Sequence, residues 1–204
     1  MSISQWAFAA GYDLLNSVVE GRVIPYRKQT AGEAWGDVLE IGGGTGANLP
    51  FYPADARITL VEPNPHMATR LRRKASKLNR DVTIVSGVGE CLSFDDASFD
   101  SVVTTLVLCM VSDLHSVVRE ARRVLRPGGA FFFYEHVVSE SRRMRWLQHK
   151  ANPGWKFLTT GCNLDRDISA AIRGAGFRQV ELRRFNLSVG LPATIPNIVG
   201  LARP

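Results

Sequence analysis

The sequence is poor in cysteine and contains no long apolar run. Its 204 residues include three cysteines, Cys91, Cys109 and Cys162, and no two of them form a Cys-x-x-Cys pair. A disulfide framework or a zinc knuckle is therefore not expected, and no metal site is predicted. No apolar stretch approaches the ~20 residues that span a bilayer, and residues 1–5 lack the basic region of a signal peptide. We expect a cytoplasmic protein.

Length and composition fit one domain over residues 1–204, with 45% hydrophobic and 22% charged residues. The net charge is +6. No nucleic-acid-reading motif accompanies this excess, so nucleic acid is not predicted as a partner. Two basic clusters are either solvated helix faces or a peripheral contact with an anionic membrane surface. They comprise Arg119, Arg122, Arg123 and Arg126, expected on one helix, and Arg142, Arg143, Arg145 and Lys150, which follow the fifth predicted strand.

Strand and helix patterns alternate along most of the chain. This alternation predicts an α/β sandwich in which a seven-stranded, mostly parallel sheet is covered by helices on both faces. Residues 1–33 precede the alternation and carry apolar residues at roughly helical spacing, which predicts an N-terminal helical lid. The predicted strands are 37–41, 57–61, 81–86, 99–104, 129–136, 178–186 and 194–202, and the predicted helices are 47–50, 64–78, 112–125 and 165–175.

The first predicted strand runs directly into a glycine-rich loop, Gly42–Gly46, with Glu40 two residues before it. Glycine is required where the backbone turns tightly and a ligand approaches so closely that a Cβ would collide. A second acidic residue, Glu62, directly follows the next predicted strand. From that position a carboxylate reaches the ribose hydroxyls of a nucleotide-like ligand.

A dinucleotide and S-adenosylmethionine are the two candidate ligands for this loop. The pattern is Glu-x-Gly-x-Gly-x-Gly, whereas dinucleotide binders favour Gly-x-Gly-x-x-Gly. A pyrophosphate needs free N–H groups at a helix N-terminus, and the carboxylate of Glu40 would repel it. The same carboxylate suits the ammonium group of S-adenosylmethionine, which is therefore the predicted cofactor.

Together with Gly89–Glu90 and Leu125–Gly129, these motifs resemble those of class I S-adenosylmethionine-dependent methyltransferases. The resemblance covers nearly the whole chain. Four further segments more narrowly resemble the methyltransferase-like proteins that methylate small alkyl thiols: Thr105–Cys109, Tyr134–Val137, Asn152–Trp155 and Gly161–Arg166. Asn197 departs from that family, which tends to have histidine at this position.

The resemblance implies a Rossmann-like class I methyltransferase fold, with S-adenosylmethionine as cofactor and S-adenosylhomocysteine as product. It also implies that Glu40 and the glycine loop hold the methionyl part and that Glu62 holds the ribose. Tyr12 in the lid offers an aromatic face to the sulfonium. The predicted cofactor-binding residues are Glu40, Gly42, Gly44, Gly46, Asn48, Glu62, Pro63, Asn64, Met67, Gly89, Glu90, Cys91, Thr105, Leu106 and Tyr12.

The narrower resemblance implies methyl transfer to the sulfur of a small or lipophilic thiol. His136, at the end of the fifth predicted strand, is the candidate general base, since the thiolate is the nucleophile. Cys109, Trp155 and Cys162 are predicted to contact the acceptor, with Trp146 and Phe157 in the same closing segment. Alternatives are a phosphatidylethanolamine N-methyltransferase, a quinone methyltransferase and a non-catalytic S-adenosylmethionine sensor.

Overall fold

The computed structural model describes residues 21–159, 161–190 and 193–204. Tyr12 and residues 1–20 of the predicted lid lie outside the described residues. A seven-stranded sheet in the order β3-β2-β1-β4-β5-β7-β6 forms the centre of the fold. The strands are β1 Asp37–Ile41, β2 Arg57–Val61, β3 Val82–Val85, β4 Phe99–Thr105, β5 Leu125–His136, β6 Gln179–Gly190 and β7 Ala193–Arg203.

Strands β1 to β5 are parallel, whereas β7 runs antiparallel to both β5 and β6. The predicted sheet is confirmed in strand number and mostly parallel direction. A parallel sheet needs long crossover connections, and helices supply them. Because β1, β2 and β4 are adjacent and parallel, the loops that follow them meet at one edge of the sheet.

Five α-helices occur among the described residues, and side-chain caps mark three of their starts. Asn64 accepts hydrogen bonds from the amides of His66 and Met67, Asp113 caps the third helix, and Asp167 caps the fifth. None of the described helices combines the length and apolar character needed to cross a bilayer. The helices are α1 over 21–30, α2 Pro65–Lys77, α3 Leu114–Arg123, α4 Arg142–Leu158 and α5 Ile168–Gly174, and a 3-10 turn at Ala31–Glu33 follows α1.

Alternating residues of the central strands bury apolar side chains on both faces of the sheet. On one face Leu39 and Phe131 belong to a cluster with residues of α3 and α5. On the other face Val38 and Phe132 belong to a cluster with residues of α2. Helix α1 adds Val23 over Tyr134. This two-sided burial is what a parallel sheet between helical layers requires.

The first basic cluster of the sequence does not form one free helix face. Helix α3 ends at Arg123, whose guanidinium pairs with Glu120 and Asp96. Arg126 lies in β5, where it bonds both Asp37 and Asp100 at 2.8 Å. Strand β5 also begins earlier than predicted. Leu125 already pairs with Phe99 of β4, and after an irregularity the pairing resumes at Ala130 with Ser101. The expectation that all four arginines lie on one helix is therefore wrong.

Two further elements differ from the predictions. The predicted helix at 47–50 is wrong, because these residues form successive turns. Helix α4 was not predicted, because Asn152, Pro153 and Gly154 are typical helix breakers, yet Pro153 lies inside the helix. The buried Gln148 anchors α4 by accepting from the Ser139 amide at 2.7 Å and donating to the Val137 carbonyl at 3.3 Å.

We expect Phe131→Ala to lower the free energy of unfolding by about 3–5 kcal/mol, because the ring is fully buried and its loss leaves a cavity. Phe157→Ala is the matched control. That ring is 85% exposed, so its loss should change stability by less than about 0.5 kcal/mol. Urea denaturation of both variants measures the difference. Equal effects of the two substitutions would contradict this assignment of the core.

Candidate functional site

The carboxyl ends of β1, β2 and β4 enclose a cavity of about 650 Å³. This volume lies within the range of small-molecule sites, and the position is where open α/β sheets bind ligands. Nine of the predicted cofactor residues line it: Gly42, Gly44, Glu62, Pro63, Asn64, Met67, Gly89, Glu90 and Leu106. We therefore take this cavity as the candidate cofactor site.

A larger hollow of about 860 Å³ lies at the opposite edge of the sheet. It is lined by residues at the starts of the strands, among them Asp37, Arg57 and Phe99. Ligands of parallel sheets bind at the carboxyl ends instead, and the glycine loop and Glu62 are absent from the residues that line this hollow. The larger volume of this hollow therefore does not make it the candidate ligand site.

The glycine loop turns in a conformation that other residues rarely adopt. Gly42, Gly44 and Gly46 have φ of 76°, 55° and 83°. A Cβ on Gly42 would lie 2.6 Å from Val107, so no larger residue fits there without displacing the wall of the cavity. The positive φ values thus agree with the glycine spacing in the sequence.

The loop amides are already occupied by protein acceptors. Gly42 and Gly43 both donate to the Val61 carbonyl, and Gly46 donates to Gly43. The Gly44 amide donates to Glu62 at 2.8 Å. No α-helix begins at residue 47, so the helix N-terminus that a pyrophosphate needs is missing from this loop. The loop therefore disfavours a dinucleotide.

Glu40 lies buried beneath the glycine loop and is held on both oxygens. Its carboxylate accepts from Asn48 at 2.9 Å and from the Tyr52 hydroxyl at 2.8 Å. Asn48 in turn accepts from Arg27 at 2.7 Å and donates to Thr105 at 3.0 Å. Burial raises the pKa of Glu40 to about 7, although both hydrogen bonds oppose the shift. The network joins β1, β4 and α1 directly behind the loop.

Glu62 faces the cavity itself. One oxygen accepts from the Gly44 amide and the other from the Asn64 amide, both at 2.8 Å. Burial raises the pKa of Glu62, and these two amides oppose the shift. An ionised carboxylate has further lone pairs beyond those two bonds, so it can still accept from two ribose hydroxyls.

The chain makes a strained turn where β4 ends. Leu106 has φ of 57°, a left-handed value that costs a leucine about 1–3 kcal/mol. Its amide donates to the Tyr134 carbonyl at 2.8 Å. The buried carboxylate of Glu135 accepts from the amides of Val107 and Leu108 at 3.2 and 3.1 Å. Glu135 therefore positions this wall of the cavity, a role that the sequence did not reveal.

Three soft side chains meet beside this turn, and we call them the Cys–His cluster: Cys109, His136 and Cys162. The His136 Nε2 lies 2.8 Å from the Cys162 sulfur, and the two sulfurs lie 3.6 Å apart. The cluster is buried. The hydrogen bond with Cys109 lowers the pKa of Cys162, and His136 and Trp155 add smaller effects in the same direction. The same hydrogen bond, together with burial, raises the pKa of Cys109.

The segment that carries Cys162 is fastened to the loop after β4. Asn163 bonds the Cys109 carbonyl through both its amide and its side chain at 2.9 Å. Arg166 donates to the Leu108 carbonyl at 2.8 Å. The segment Gly161–Arg166, one of the four that resemble thiol-methylating proteins, therefore has a structural role, because these bonds hold Cys162 against Cys109 and His136.

The remaining predicted residues lie at various distances from the cavity. Gly46, Glu40, Asn48 and Thr105 lie behind its wall, and Cys91 is exposed. Trp155 contacts the core beside the cluster, and its indole N–H favours a Cys162 thiolate although it makes no hydrogen bond of ordinary geometry. Trp146 and Phe157 are 60% and 85% exposed and do not line the cavity, so a role in closing the acceptor pocket stays a prediction.

Several lining residues were not predicted from the sequence. They are mostly small or apolar, and none was singled out as a binding residue: Ile41, Val61, Gly87, Val88, Val107, Met110, Val111 and Ser112. Each lies at or just beyond the carboxyl end of a strand or beside Glu90. Their position next to the ends of predicted strands was the only feature of the sequence that could have indicated that they line the cavity.

Comparison with known proteins agrees with this geometry. A family model described as a methyltransferase domain matches residues 39–133. The chain is 39% identical over 170 residues to the human thiol S-methyltransferase TMT1A, covering 81% of this chain and 69% of that protein. It is 37% identical over 170 residues to the human thiol S-methyltransferase TMT1B, again covering 81% of this chain and 69% of that protein.

The fold is also found in solved structures. A possible histamine N-methyltransferase from Thermotoga maritima superposes with a TM-score of 0.73 at 21% identity, covering 98% of this chain and 99% of that one. At this identity the likeness concerns the fold alone. The expected Rossmann-like class I methyltransferase fold is confirmed, and the cofactor of this fold family is S-adenosylmethionine.

We expect Glu62→Ala to weaken binding of S-adenosylhomocysteine by about 1–3 kcal/mol, because it removes the predicted acceptor for the ribose hydroxyls. Calorimetric titration measures the change. Asp55→Ala, an exposed carboxylate at the opposite edge of the sheet, is the matched control and should bind as the unmodified chain does. Full affinity in Glu62→Ala would remove Glu62 from the cofactor site.

Stability should fall as pH rises through the titration of Glu40. The folded chain keeps this proton to about pH 7, whereas the unfolded chain releases it near 4.5. Between these values the folded state binds more protons, so the free energy of unfolding decreases by at most about 1.4 kcal/mol per pH unit. Denaturant unfolding at pH 5 to 8 measures the slope.

Glu40→Gln should flatten this slope, and Glu33→Gln, on an exposed carboxylate, should leave it unchanged. Some slope will remain, because burial also raises the pKa values of Glu62 and Glu135. A Glu40→Gln variant with the full slope would show that Glu40 is already ionised in the folded chain.

Proposed function

Because the chain belongs to the class I S-adenosylmethionine-dependent methyltransferases, we propose that it transfers the methyl group of this cofactor to the sulfur of a small thiol. The similarity to thiol S-methyltransferases supports the acceptor class. The single observation that carries the proposal is the group of soft side chains, the Cys–His cluster, beside the end of the cofactor cavity.

The cofactor spans the cavity from Glu62 to Leu106. Glu62 accepts the ribose hydroxyls, and Pro63, Asn64 and Met67 surround the adenine. The methionyl part follows the glycine loop, where the carboxylates of Glu40 and Glu62 balance the net positive charge of the cofactor. The sulfonium then lies near the turn at Leu106, which is one of the predicted cofactor-binding residues.

The wall around this turn suits a sulfur acceptor better than an amine. Leu106, Val107 and Met110 are apolar, and they line the cavity at this end. Glu135 is the nearby carboxylate, and it is occupied by the amides of Val107 and Leu108. A cationic amine would need a free carboxylate here, whereas a thiol carries little charge and tolerates apolar contacts.

The reaction is an in-line substitution at the methyl carbon. The protein accelerates it by holding the acceptor sulfur at about 3–3.5 Å from that carbon and by excluding water. The acceptor must be a thiolate, and a free thiol with a pKa of about 8.5 is ionised to only a few per cent at pH 7. A group that favours the thiolate therefore increases the rate.

His136 was predicted as the general base for this step. Its Nε2 is engaged by Cys162, and its Nδ1 is buried without a partner among the described residues. Direct proton transfer from the acceptor thus requires the His136–Cys162 contact to open. Cys109 and Cys162 lie beside the imidazole, and Trp155 packs against the same cluster near Cys162.

A second candidate, methyl transfer to a phospholipid headgroup, is favoured by the surface of α4. This helix exposes Met144, Trp146, Leu147 and Phe157 next to the basic residues Arg142 and Arg143. Exposed apolar and basic side chains on one helix are typical of attachment to an anionic membrane surface. Such a contact would bring the site close to lipids without specifying sulfur or nitrogen as the acceptor.

The two functions differ in where a labelled methyl group arrives. Incubation of the full chain with methyl-labelled S-adenosylmethionine and a series of alkyl thiols should yield methyl thioethers, detected by mass spectrometry. The matched alcohols, in which oxygen replaces sulfur, should remain unmethylated because they do not ionise near neutral pH. Vesicles of phosphatidylethanolamine and phosphatidylglycerol provide the competing acceptor.

Methylation of the headgroup amine with no product from thiols would overturn the proposal and favour the lipid enzyme. A quinone acceptor would be methylated at carbon or oxygen. Cofactor binding without transfer to any acceptor would instead indicate a sensor.

Arg142→Glu with Arg143→Glu should weaken vesicle binding but leave methylation of a soluble thiol unchanged.

A further inference from the structure

The Cys–His cluster brings three metal-ligating atoms around one point. The sulfurs of Cys109 and Cys162 and a ring nitrogen of His136 all lie within 4.8 Å of one another, and all three residues are buried. They come from three separate segments: the loop after β4, the last residue of β5 and the segment between α4 and α5. Their spacing in the sequence therefore does not indicate a metal site.

The distances fit a tetrahedral thiophilic cation with modest adjustment. Bonds of about 2.3 Å to sulfur and about 2.0 Å to nitrogen imply about 3.8 Å between the two sulfurs and about 3.5 Å between sulfur and nitrogen. The two sulfurs are 3.6 Å apart, and His136 Nε2 is 2.8 Å from the Cys162 sulfur. For the His136–Cys162 pair an ion requires the imidazole to withdraw by less than about 1 Å, and the ligand atoms of His136 and Cys109 lie within 4.8 Å of each other.

The charge balance also favours such an ion. A buried pair of thiolates is costly without a compensating cation. A divalent ion bound by two thiolates and one neutral imidazole forms a neutral unit, and this donor set suits zinc. No fourth histidine, cysteine or carboxylate joins the group among the described residues. Three protein ligands with one open position are typical of catalytic zinc sites, whereas structural sites are closed by four.

We propose that Cys109, His136 and Cys162 bind one zinc ion whose open position takes the sulfur of the acceptor thiol. This inference rests on the thiol methyltransferase function proposed above. It replaces general-base catalysis by His136 with metal activation of the acceptor. It also departs from the expectation, drawn from cysteine spacing, that the chain has no metal site.

The position of the cluster relative to the cofactor cavity suits this role. The Cys109 sulfur lies 3.7 Å from the carbonyl oxygen of Leu106, a residue that lines the cavity. Val107 and Met110, on either side of Cys109 in the chain, line the same wall. The metal ligands are thus separated from the cavity by the turn at Leu106, and the open position of the ion must face this turn for the bound sulfur to reach the methyl carbon.

The chemical step balances without any oxidant or reductant. On binding, the thiol S–H bond breaks, the proton passes to solvent and the sulfur bonds the ion as a thiolate. A sulfur lone pair then forms a bond to the methyl carbon while the bond from that carbon to the sulfonium breaks. The electron pair of the broken bond stays on the cofactor, which becomes S-adenosylhomocysteine. The neutral thioether is a weak ligand and leaves.

Metal content tests the site independently of activity. The reduced full chain, equilibrated with zinc and then dialysed, should retain about one zinc per chain by elemental mass spectrometry. Cys109→Ser and Cys162→Ser should each lose it, whereas Cys91→Ser, on an exposed thiol outside the cluster, should keep it. Undiminished binding of S-adenosylhomocysteine by the two cluster variants verifies that they are folded.

Cobalt substitution tests the open position. The cobalt-loaded chain should show a thiolate-to-metal charge-transfer band that strengthens when an alkyl thiol is added and stays constant with the matched alcohol. Removal of zinc with a chelator should lower kcat/KM for the thiol by about 30-fold at pH 7, because the acceptor then ionises at its own pKa of about 8.5. Added zinc should restore the rate.

The outcomes separate the two proposals. A chain without stoichiometric zinc, or one whose cysteines form a Cys109–Cys162 disulfide instead, overturns the metal site even if thiols are methylated. An unchanged rate after zinc removal, or a cobalt spectrum indifferent to thiol, overturns its role in activating the acceptor. A zinc-loaded chain that methylates no thiol overturns the proposed function while the metal site stands.

Discussion

The burial of two carboxylates under one glycine loop is the constraint on which the site depends. Glu40 supports the loop from behind through Asn48 and Tyr52, and Glu62 binds its Gly44 amide from the front. Both carboxylates incur a desolvation cost, visible in their raised pKa values. A cofactor with net positive charge offsets this cost, whereas a pyrophosphate would increase it. The loop therefore selects its ligand by charge as well as by shape.

The opposite wall depends on a third buried carboxylate, Glu135, which holds the amides that follow the strained Leu106. The same turn leads to Cys109, and the bonds of Asn163 and Arg166 draw Cys162 toward it. One tertiary arrangement thus shapes the end of the cofactor cavity and assembles the Cys–His cluster. The cofactor cavity and the Cys–His cluster are linked through only a few residues at the ends of β4 and β5.

Sequence patterns predicted those features that local physics controls. The strands were close to their observed bounds because apolar runs bounded by glycine and proline are local signals. Gly42, Gly44 and Glu62 were identified from their spacing in the sequence. The alternating glycines mark backbone positions of positive φ, and Glu62 stands where a strand ends. The helix at 47–50 was wrong because the Asn48 side chain bonds Glu40 and Thr105, and the backbone there forms turns. Helix α4 was missed because tertiary bonds to Gln148 outweigh its breaker residues.

The sequence by itself determined the parallel sheet, the glycine loop with its two acidic partners, and hence the class of cofactor, because these depend on residue type and short spacing. The tertiary structure alone decided that Glu135 braces the turn after β4 and that Trp146 and Phe157 face solvent. It also decided that Cys109, His136 and Cys162 meet at one point. These outcomes depend on contacts between segments up to 53 residues apart in the sequence. No local sequence pattern predicts which of such distant segments come into contact.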